Sequence, residues 1–128
     1  MVLLAQFMGA LYGLLAVILG AFGAHALKKS LADDQLKSFE TGVKYQMYHG
    51  LLLLMLSFNL NLDTSLEHYM VKCIIWGTFL FSFSIYGLVL SASRGKKWKF
   101  LGPVTPIGGL LLVAGWGLLL FKLIRNII

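Results

Sequence analysis

A cluster of polar side chains interrupts the apolar sequence where we predict that the second membrane helix begins. Its members are Lys44, Tyr45, Gln46, Tyr48 and His49. A second imidazole, His25, closes the first apolar segment. Ionisable residues within membrane segments are energetically costly, and they often mark a site. We therefore treat these six residues as a candidate ligand-binding cluster. A short connection would make the first two helices antiparallel neighbours, so that His25 and His49 could lie at similar depth.

Three interpretations of this cluster remain open. The side chains could satisfy one another across helices, at about 0.6 kcal/mol per hydrogen bond. They could instead line a pocket for a small polar ligand or a lipid headgroup, with Lys44 supplying positive charge. The two histidines could also be axial ligands of haem iron. Two histidines without a neighbouring cysteine or carboxylate are too few for a closed zinc site. We favour the structural interpretation and predict no metal and no cofactor.

Composition places the chain in a membrane. Of its 128 residues, 59% are hydrophobic and 12% are charged, with a mean hydropathy of +0.83. Soluble domains carry about 25% charged residues, so the lipid bilayer is the expected solvent. The net charge of +6 comes from basic residues in short loops, a pattern that orients membrane proteins rather than one that binds nucleic acid. The single cysteine, Cys73, permits no intrachain disulfide.

The spacing of apolar segments predicts one all-α membrane domain covering residues 1–128. Crossing a bilayer core of about 30 Å takes about 20 apolar residues. Capping-box patterns at Ser30-x-x-Asp33 and Thr64-x-x-Glu67 mark two helix starts. We expect four antiparallel transmembrane helices, at about 2–27, 43–62, 66–92 and 106–124, and a short interfacial amphipathic helix at about 31–41.

Two further patterns concern packing and turns. Small residues in the first span recur at spacings of four and three, so they lie on one helix face. They are Gly9, Gly13, Ala16, Gly20 and Gly23. This stripe predicts close helix packing. Before the fourth span, a rigid turn is formed by Gly102, Pro103, Thr105 and Pro106. We expect Thr105 to be the N-cap and Pro106 to be the first helical residue.

The basic residues predict an orientation. Eight of them lie in the loops after the first and third spans, namely Lys28, Lys29, Lys37, Lys44, Arg94, Lys96, Lys97 and Lys99. Three, Lys72, Lys122 and Arg125, lie at the opposite side. The two basic loops are therefore expected in the cytoplasm, with both termini outside, in a bacterial cytoplasmic membrane.

Several kinds of chemistry are disfavoured. All five acidic residues fall in loops or at helix ends, whereas an ion-coupled transporter needs a titratable group inside the membrane. No phosphate-binding G-x-x-x-x-G-K-[ST] motif is present, and no Ser–His–acid set can be assembled from one half of the membrane. We therefore predict that the protein is not an enzyme.

Three stretches in order along the chain resemble one known family. They are Gly20-Ala-Phe-Gly-Ala-His-Ala-Leu-Lys28, Phe39-Glu-Thr-Gly-Val-Lys-Tyr-Gln-Met-Tyr-His49, and Gly102-Pro-Val-Thr-Pro-Ile-Gly-Gly109 with Ala114-Gly-Trp116. Together they resemble the domain-of-unknown-function 423 family of YgdD-like small integral membrane proteins, over the whole chain. The resemblance implies four membrane helices and no particular reaction.

The sequence thus favours a non-enzymatic accessory, structural or assembly subunit that acts through helix packing. Its expected partners are the lipid bilayer and either another membrane protein or further copies of itself, with no nucleic acid. The alternative is a protein that binds or transports a small ligand or lipid through a polar pocket on the cytoplasmic side.

Overall fold

The computed structural model describes residues 1–128 and contains four long helices and no strand. Helix α1 spans Val2–Leu27, α2 spans Asp33–Asn59, α3 spans Ser65–Ser93 and α4 spans Val104–Ile127. A short 3₁₀ turn at Lys99–Leu101 precedes α4. The predicted all-α fold class is confirmed.

Three segments are long and apolar enough to cross a membrane: Val2–Leu27, Ser65–Ser93 and Lys99–Ile127. Helix α2 has sufficient length, with 27 residues, but its first half is polar. The polar residues of Lys44–His49 and the charges nearer its start lower its hydropathy. Four membrane spans therefore remain a prediction, and three are supported by length and composition.

The separate interfacial helix expected at about 31–41 is absent. Those residues instead form the first turns of α2, which continues without a break to Asn59. The chain has no proline at this point, and Gly42 remains helical because it fills a close contact. A Cβ atom built on Gly42 would lie 2.7 Å from Cε1 of Tyr86. Because Gly42 packs against α3, the helix continues through the position where the sequence predicted an interruption.

The helix starts agree only in part with the capping patterns. Thr64 caps α3 as predicted: the Glu67 backbone N–H donates to Thr64 Oγ1, and the Thr64 N–H donates to the Glu67 carboxylate. The N-cap of α2, however, is Ala32, whose N–H donates to Gln35 Oε1 at 3.0 Å, so the Ser30-x-x-Asp33 box does not form.

The prediction that Thr105 caps the fourth helix is wrong. Helix α4 begins one residue earlier, at Val104, with Pro103 as its N-cap. The proline ring fixes φ near the helical value, which lets the helix start there, and Pro106 then lies in the first turn, where a missing N–H costs nothing. Thr105 instead contacts α3, with its Oγ1 2.6 Å from Ser84 Oγ.

The helices form two antiparallel pairs, α1 with α2 and α3 with α4, joined by contacts between α2 and α3. No Cα atom of α1 lies within 8 Å of α4, so the arrangement is open on that side. One buried core lies among α1, α2 and α3 and includes Tyr12, Leu53 and Met70. A second core, around Phe39 and Tyr86, lies toward the opposite end.

Two π-helical turns, Leu19–Gly23 in α1 and Phe79–Phe83 in α3, lie against the same segment of α2. Gly23 approaches the Phe39 ring, and Ser82 Oγ donates to the Gly42 carbonyl at 2.7 Å. Single π turns inside α-helices are uncommon and locally shift the helix register. In this protein the two π turns are the places where α1 and α3 pack against the part of α2 that precedes its polar cluster.

Candidate functional site

Gln46 is the centre of a buried hydrogen-bond network that connects three helices. Its side chain is fully buried. The Tyr86 hydroxyl of α3 donates to Gln46 Oε1 at 2.8 Å, and Gln46 Nε2 donates to the Tyr12 carbonyl of α1 at 2.9 Å. The Tyr12 hydroxyl then donates to the carbonyl of Ile75 in α3 at 2.7 Å. The amide thus links α1 to α3 through the middle of α2.

His49 is held by a second set of bonds that reaches α4. The Trp116 indole Nε1 lies 3.0 Å from His49 Nε2, and His49 Nδ1 lies 2.7 Å from the Tyr45 carbonyl oxygen. An indole N–H can only donate and a carbonyl can only accept, so these partners define a neutral ring protonated at Nδ1. Both ring nitrogens are therefore occupied, and no lone pair is free for a metal or for haem iron.

The other four members of the predicted cluster lie on the surface. Tyr45, Tyr48, Lys44 and His25 are all exposed. The Tyr45 ring stacks on His49 with centroids 6.0 Å apart and also contacts Phe81 at 4.7 Å. The structure thus brings Gln46 and His49 into the interior and leaves the remaining side chains outside it.

The expectation that His25 and His49 lie at similar depth is wrong. Gly9 of α1 meets Gly50 of α2, whereas Gly23 meets Phe39. His49 therefore lies beside the region of Gly9, and His25 lies beyond the level of Phe39. At 1.5 Å per residue, roughly 12 residues of helix, or about 18 Å, separate the two levels. One ligand or haem iron cannot bind both imidazoles.

The small-residue stripe of α1 faces α2 in most of its length. A Cβ atom built on Gly9 would lie 2.8 Å from the Gly50 carbonyl oxygen, and one on Gly20 would lie 3.1 Å from Val43. Ala16 is buried. Gly13 differs, because a Cβ atom there would have no neighbour within 4 Å. Gly13 nevertheless lies close to α2, with its backbone nitrogen 3.3 Å from a Cβ built on Gly50.

Sequence reasoning missed several residues that complete the polar network. Tyr12 lies three residues after Gly9 and four before Ala16, so helical spacing alone could have placed its ring on the packed face. Trp116 belongs to the Ala114-Gly-Trp116 stretch that resembles the family. Nothing in its own helix indicates a bond to His49, which lies 67 residues away in the chain.

A buried ion pair lies at the end of the molecule that carries both termini. Lys122 Nζ of α4 is 3.0 Å from Glu67 Oε1 of α3, and Glu67 is almost fully buried. The same carboxylate accepts from the Thr64 N–H and hydroxyl. Because its oxygens are committed to a cap and a cation, Glu67 is a structural carboxylate. No group of three or more His, Cys, Asp or Glu residues is placed to hold a metal ion.

The fold and its interior define a class: an all-helical membrane protein whose buried polar groups bond to one another. Comparison with known proteins gives the family. The family model described as "Protein of unknown function (DUF423)" matches residues 19–109, and the chain belongs to this family.

Several curated relatives are similar to the chain over most of its length. A UPF0382 membrane protein of Schizosaccharomyces pombe is 41% identical over 112 residues, covering 87% of this chain and 93% of the relative. The UPF0382 inner membrane protein YgdD of Escherichia coli K12 is 40% identical over 117 residues, covering 91% and 86%. A Staphylococcus aureus UPF0382 membrane protein is 40% identical, covering 88% of each chain. No solved structure matches significantly.

Proposed function

We propose that the protein is a non-enzymatic membrane subunit that acts through helix packing, as an accessory or assembly component. The observation that carries this proposal is the Tyr86–Gln46–Tyr12–Ile75 network. A site that binds or transforms a ligand needs polar groups free to contact it, and here the buried amide and both hydroxyls are used between helices. No buried side-chain nitrogen or oxygen lacks a partner.

The proposal includes α2 as a fourth membrane span. Gln46 and His49, two of the polar residues that lower its hydropathy, are buried and hydrogen-bonded to other helices rather than facing lipid. Lys44 and Tyr48 lie on its exposed face, where a long amine side chain can extend toward the headgroups. With four spans, both termini lie on the same side, and the distribution of Lys and Arg supports a non-cytoplasmic location for them in a bacterial cytoplasmic membrane.

The open arrangement of helices supports contact with another membrane protein or a second copy. Because no Cα atom of α1 lies within 8 Å of α4, neither helix packs closely on the other, and each presents a long apolar face. On α4 this face includes the exposed side chains of Leu110 and Val113, whereas Leu112 points into the protein. Lipid can cover such a face, but an assembly subunit would use it for a protein.

In-membrane photo-cross-linking tests the proposed function. A photoreactive amino acid at Leu110 or Val113 is expected to give protein adducts of defined mass, and the same group at buried Leu112 is expected to give none. Mass spectrometry of the adducts would separate self-association from a different partner. The assembly role would be contradicted if both exposed positions on α4 gave lipid adducts and no protein adducts, and if exposed positions on α1 such as Phe7 and Val17 gave the same result.

A further inference from the structure

One cavity lies away from the polar network, where α2 begins, α3 ends and α4 begins. Its volume is about 530 Å³, within the range of about 300–1,000 Å³ that is common for small-molecule sites. Ile85, Leu88 and Val89 supply apolar lining from α3, and polar side chains from α2 and α4, among them Ser38 and Thr105, line it as well. Asp34 of α2 and Lys97 of the α3–α4 loop, both exposed, also line it, so charges of both signs lie beside the apolar side chains of α3.

These two charges are not paired with each other or with any other residue. The ion pair between Glu67 and Lys122, at the far end of the molecule, is the only one in the chain. Asp34 and Lys97 therefore border a common cavity while each remains free to bind a group of opposite charge. A carboxylate and an ammonium placed in this way match a ligand that itself carries an ammonium and an anion.

The loop that presents Lys97 is held in place on both sides. Gly95, at a φ of +80°, ends α3 in a Schellman motif, in which the Lys96 N–H donates to the Ser91 carbonyl at 3.1 Å. The Trp98 N–H donates to the Ser91 hydroxyl at 3.0 Å. Because the residues before and after Lys97 are both anchored to Ser91, its backbone position at the cavity is fixed.

The cavity lies at the ends of spanning-length helices, where a membrane boundary is expected. Two helices of spanning length meet there, since α3 ends at Ser93 and the apolar segment of α4 begins at Lys99. Trp98 and Phe100 are exposed and stack with ring centroids 6.2 Å apart, as aromatic anchors at headgroup level often do. A ligand bound here needs an apolar part directed into the bilayer and charged groups at headgroup level. A phospholipid has both.

We propose that this cavity binds the headgroup of phosphatidylethanolamine, with its ammonium at Asp34, its phosphate at Lys97 and its glycerol and upper acyl carbons against Ile85, Leu88 and Val89. Phosphatidylcholine fits the same charges less well, because its quaternary nitrogen has no N–H to donate to a carboxylate. Phosphatidylglycerol offers Asp34 no cation. This inference goes beyond the proposed assembly role and does not rest on it.

Native mass spectrometry of the full chain in mild detergent tests the site, with the three lipids added at equal concentration. We expect retention of phosphatidylethanolamine at least about tenfold above the other two, as the loss of one charge-assisted hydrogen bond would predict. Asp34→Asn and Lys97→Gln should each reduce its retention to the level of phosphatidylcholine. Equal retention of all three lipids by the unmodified chain would overturn the proposal.

The chain provides matched controls next to each tested residue. Asp33→Asn and Lys96→Gln change the same charges at exposed neighbours that do not line the cavity, and both should retain the lipid. An equal loss in all four variants would indicate attraction to total charge and would overturn the proposal. Lys97 lies outside every helix, so Lys97→Gln keeps the proposal testable if Asp34→Asn weakens the start of α2. Soluble phosphoethanolamine that bound while the lipid did not would also contradict a lipid site.

Discussion

Trp116 donates its indole N–H to Nε2 of His49 at 3.0 Å, and this bond is a side-chain link between two helices, α2 and α4, whose backbones do not come into contact. The two rings meet edge to face, with centroids 6.1 Å apart. His49 in turn donates from Nδ1 to the Tyr45 carbonyl. A histidine that the sequence offered as a ligand is thus fully occupied in joining α4 to the rest of the protein.

Trp116→Phe should destabilise the protein by about 1 kcal/mol, because it keeps most of the ring but leaves His49 Nε2 without a donor. Unfolding in mixed detergent micelles, followed by circular dichroism, measures the change. Trp76→Phe is the matched control, since the Trp76 ring is also exposed and its indole makes no hydrogen bond. Equal effects of the two substitutions would show that the bond to His49 does not contribute.

Gly9→Ala and Gly13→Ala should differ although both residues belong to the same stripe. The added methyl group at Gly9 would meet the Gly50 carbonyl oxygen at 2.8 Å, and overpacking of this kind costs about 1–3 kcal/mol. At Gly13 the methyl group meets nothing, so the better helix propensity of alanine should leave stability unchanged or raise it by up to about 1 kcal/mol. The same unfolding assay decides between these outcomes, and a loss at Gly13 as large as that at Gly9 would contradict the observed packing.

Lys122→Met should destabilise the protein by about 1–2 kcal/mol, because Glu67 would be left buried with its cap bonds but without a cation. The expected loss of stability is smaller than for a completely buried pair, since the Lys122 side chain is 21% exposed. Lys72→Met serves as the control, because Lys72 pairs with no carboxylate. Adding Glu67→Gln to Lys122→Met should restore part of the stability. If the double variant instead lost as much stability as the two single variants together, the ion pair would not contribute to stability.

Topology can be tested directly with single cysteines in a Cys73→Ala background. If α2 crosses the membrane, cysteines at Lys29 and Asn61 should react with an impermeant maleimide from opposite sides, with Lys29→Cys reacting from the cytoplasm. Both positions are exposed, so folding does not protect either of them. Labelling of both positions from one side would exclude α2 as a span.

Much of the fold could be predicted from local sequence, because segment length, hydropathy and the Thr64–Glu67 cap are local properties. The relative depth of His25 and His49 could not be predicted in this way, since it depends on how far α2 extends and on the contact of Gly9 with Gly50. The first turns of α2 look like an interfacial helix in isolation, and only Tyr86 against Gly42 shows why the helix continues. In the same way, Thr105 is a good N-cap by type, but its hydroxyl lies against Ser84.

The central claim is that the two buried polar side chains Gln46 and His49 of α2 hold helices together instead of binding a ligand, and a double-mutant cycle between Gln46 and Tyr86 tests it most directly. Gln46→Leu, Tyr86→Phe and the double variant would be compared by unfolding in mixed micelles. We expect a coupling free energy of about 1 kcal/mol, toward the upper part of the range measured for hydrogen bonds within membranes. Each single substitution should destabilise the protein, and the second should add little once the first is present. Strict additivity, or single variants as stable as the original chain, would contradict the claim.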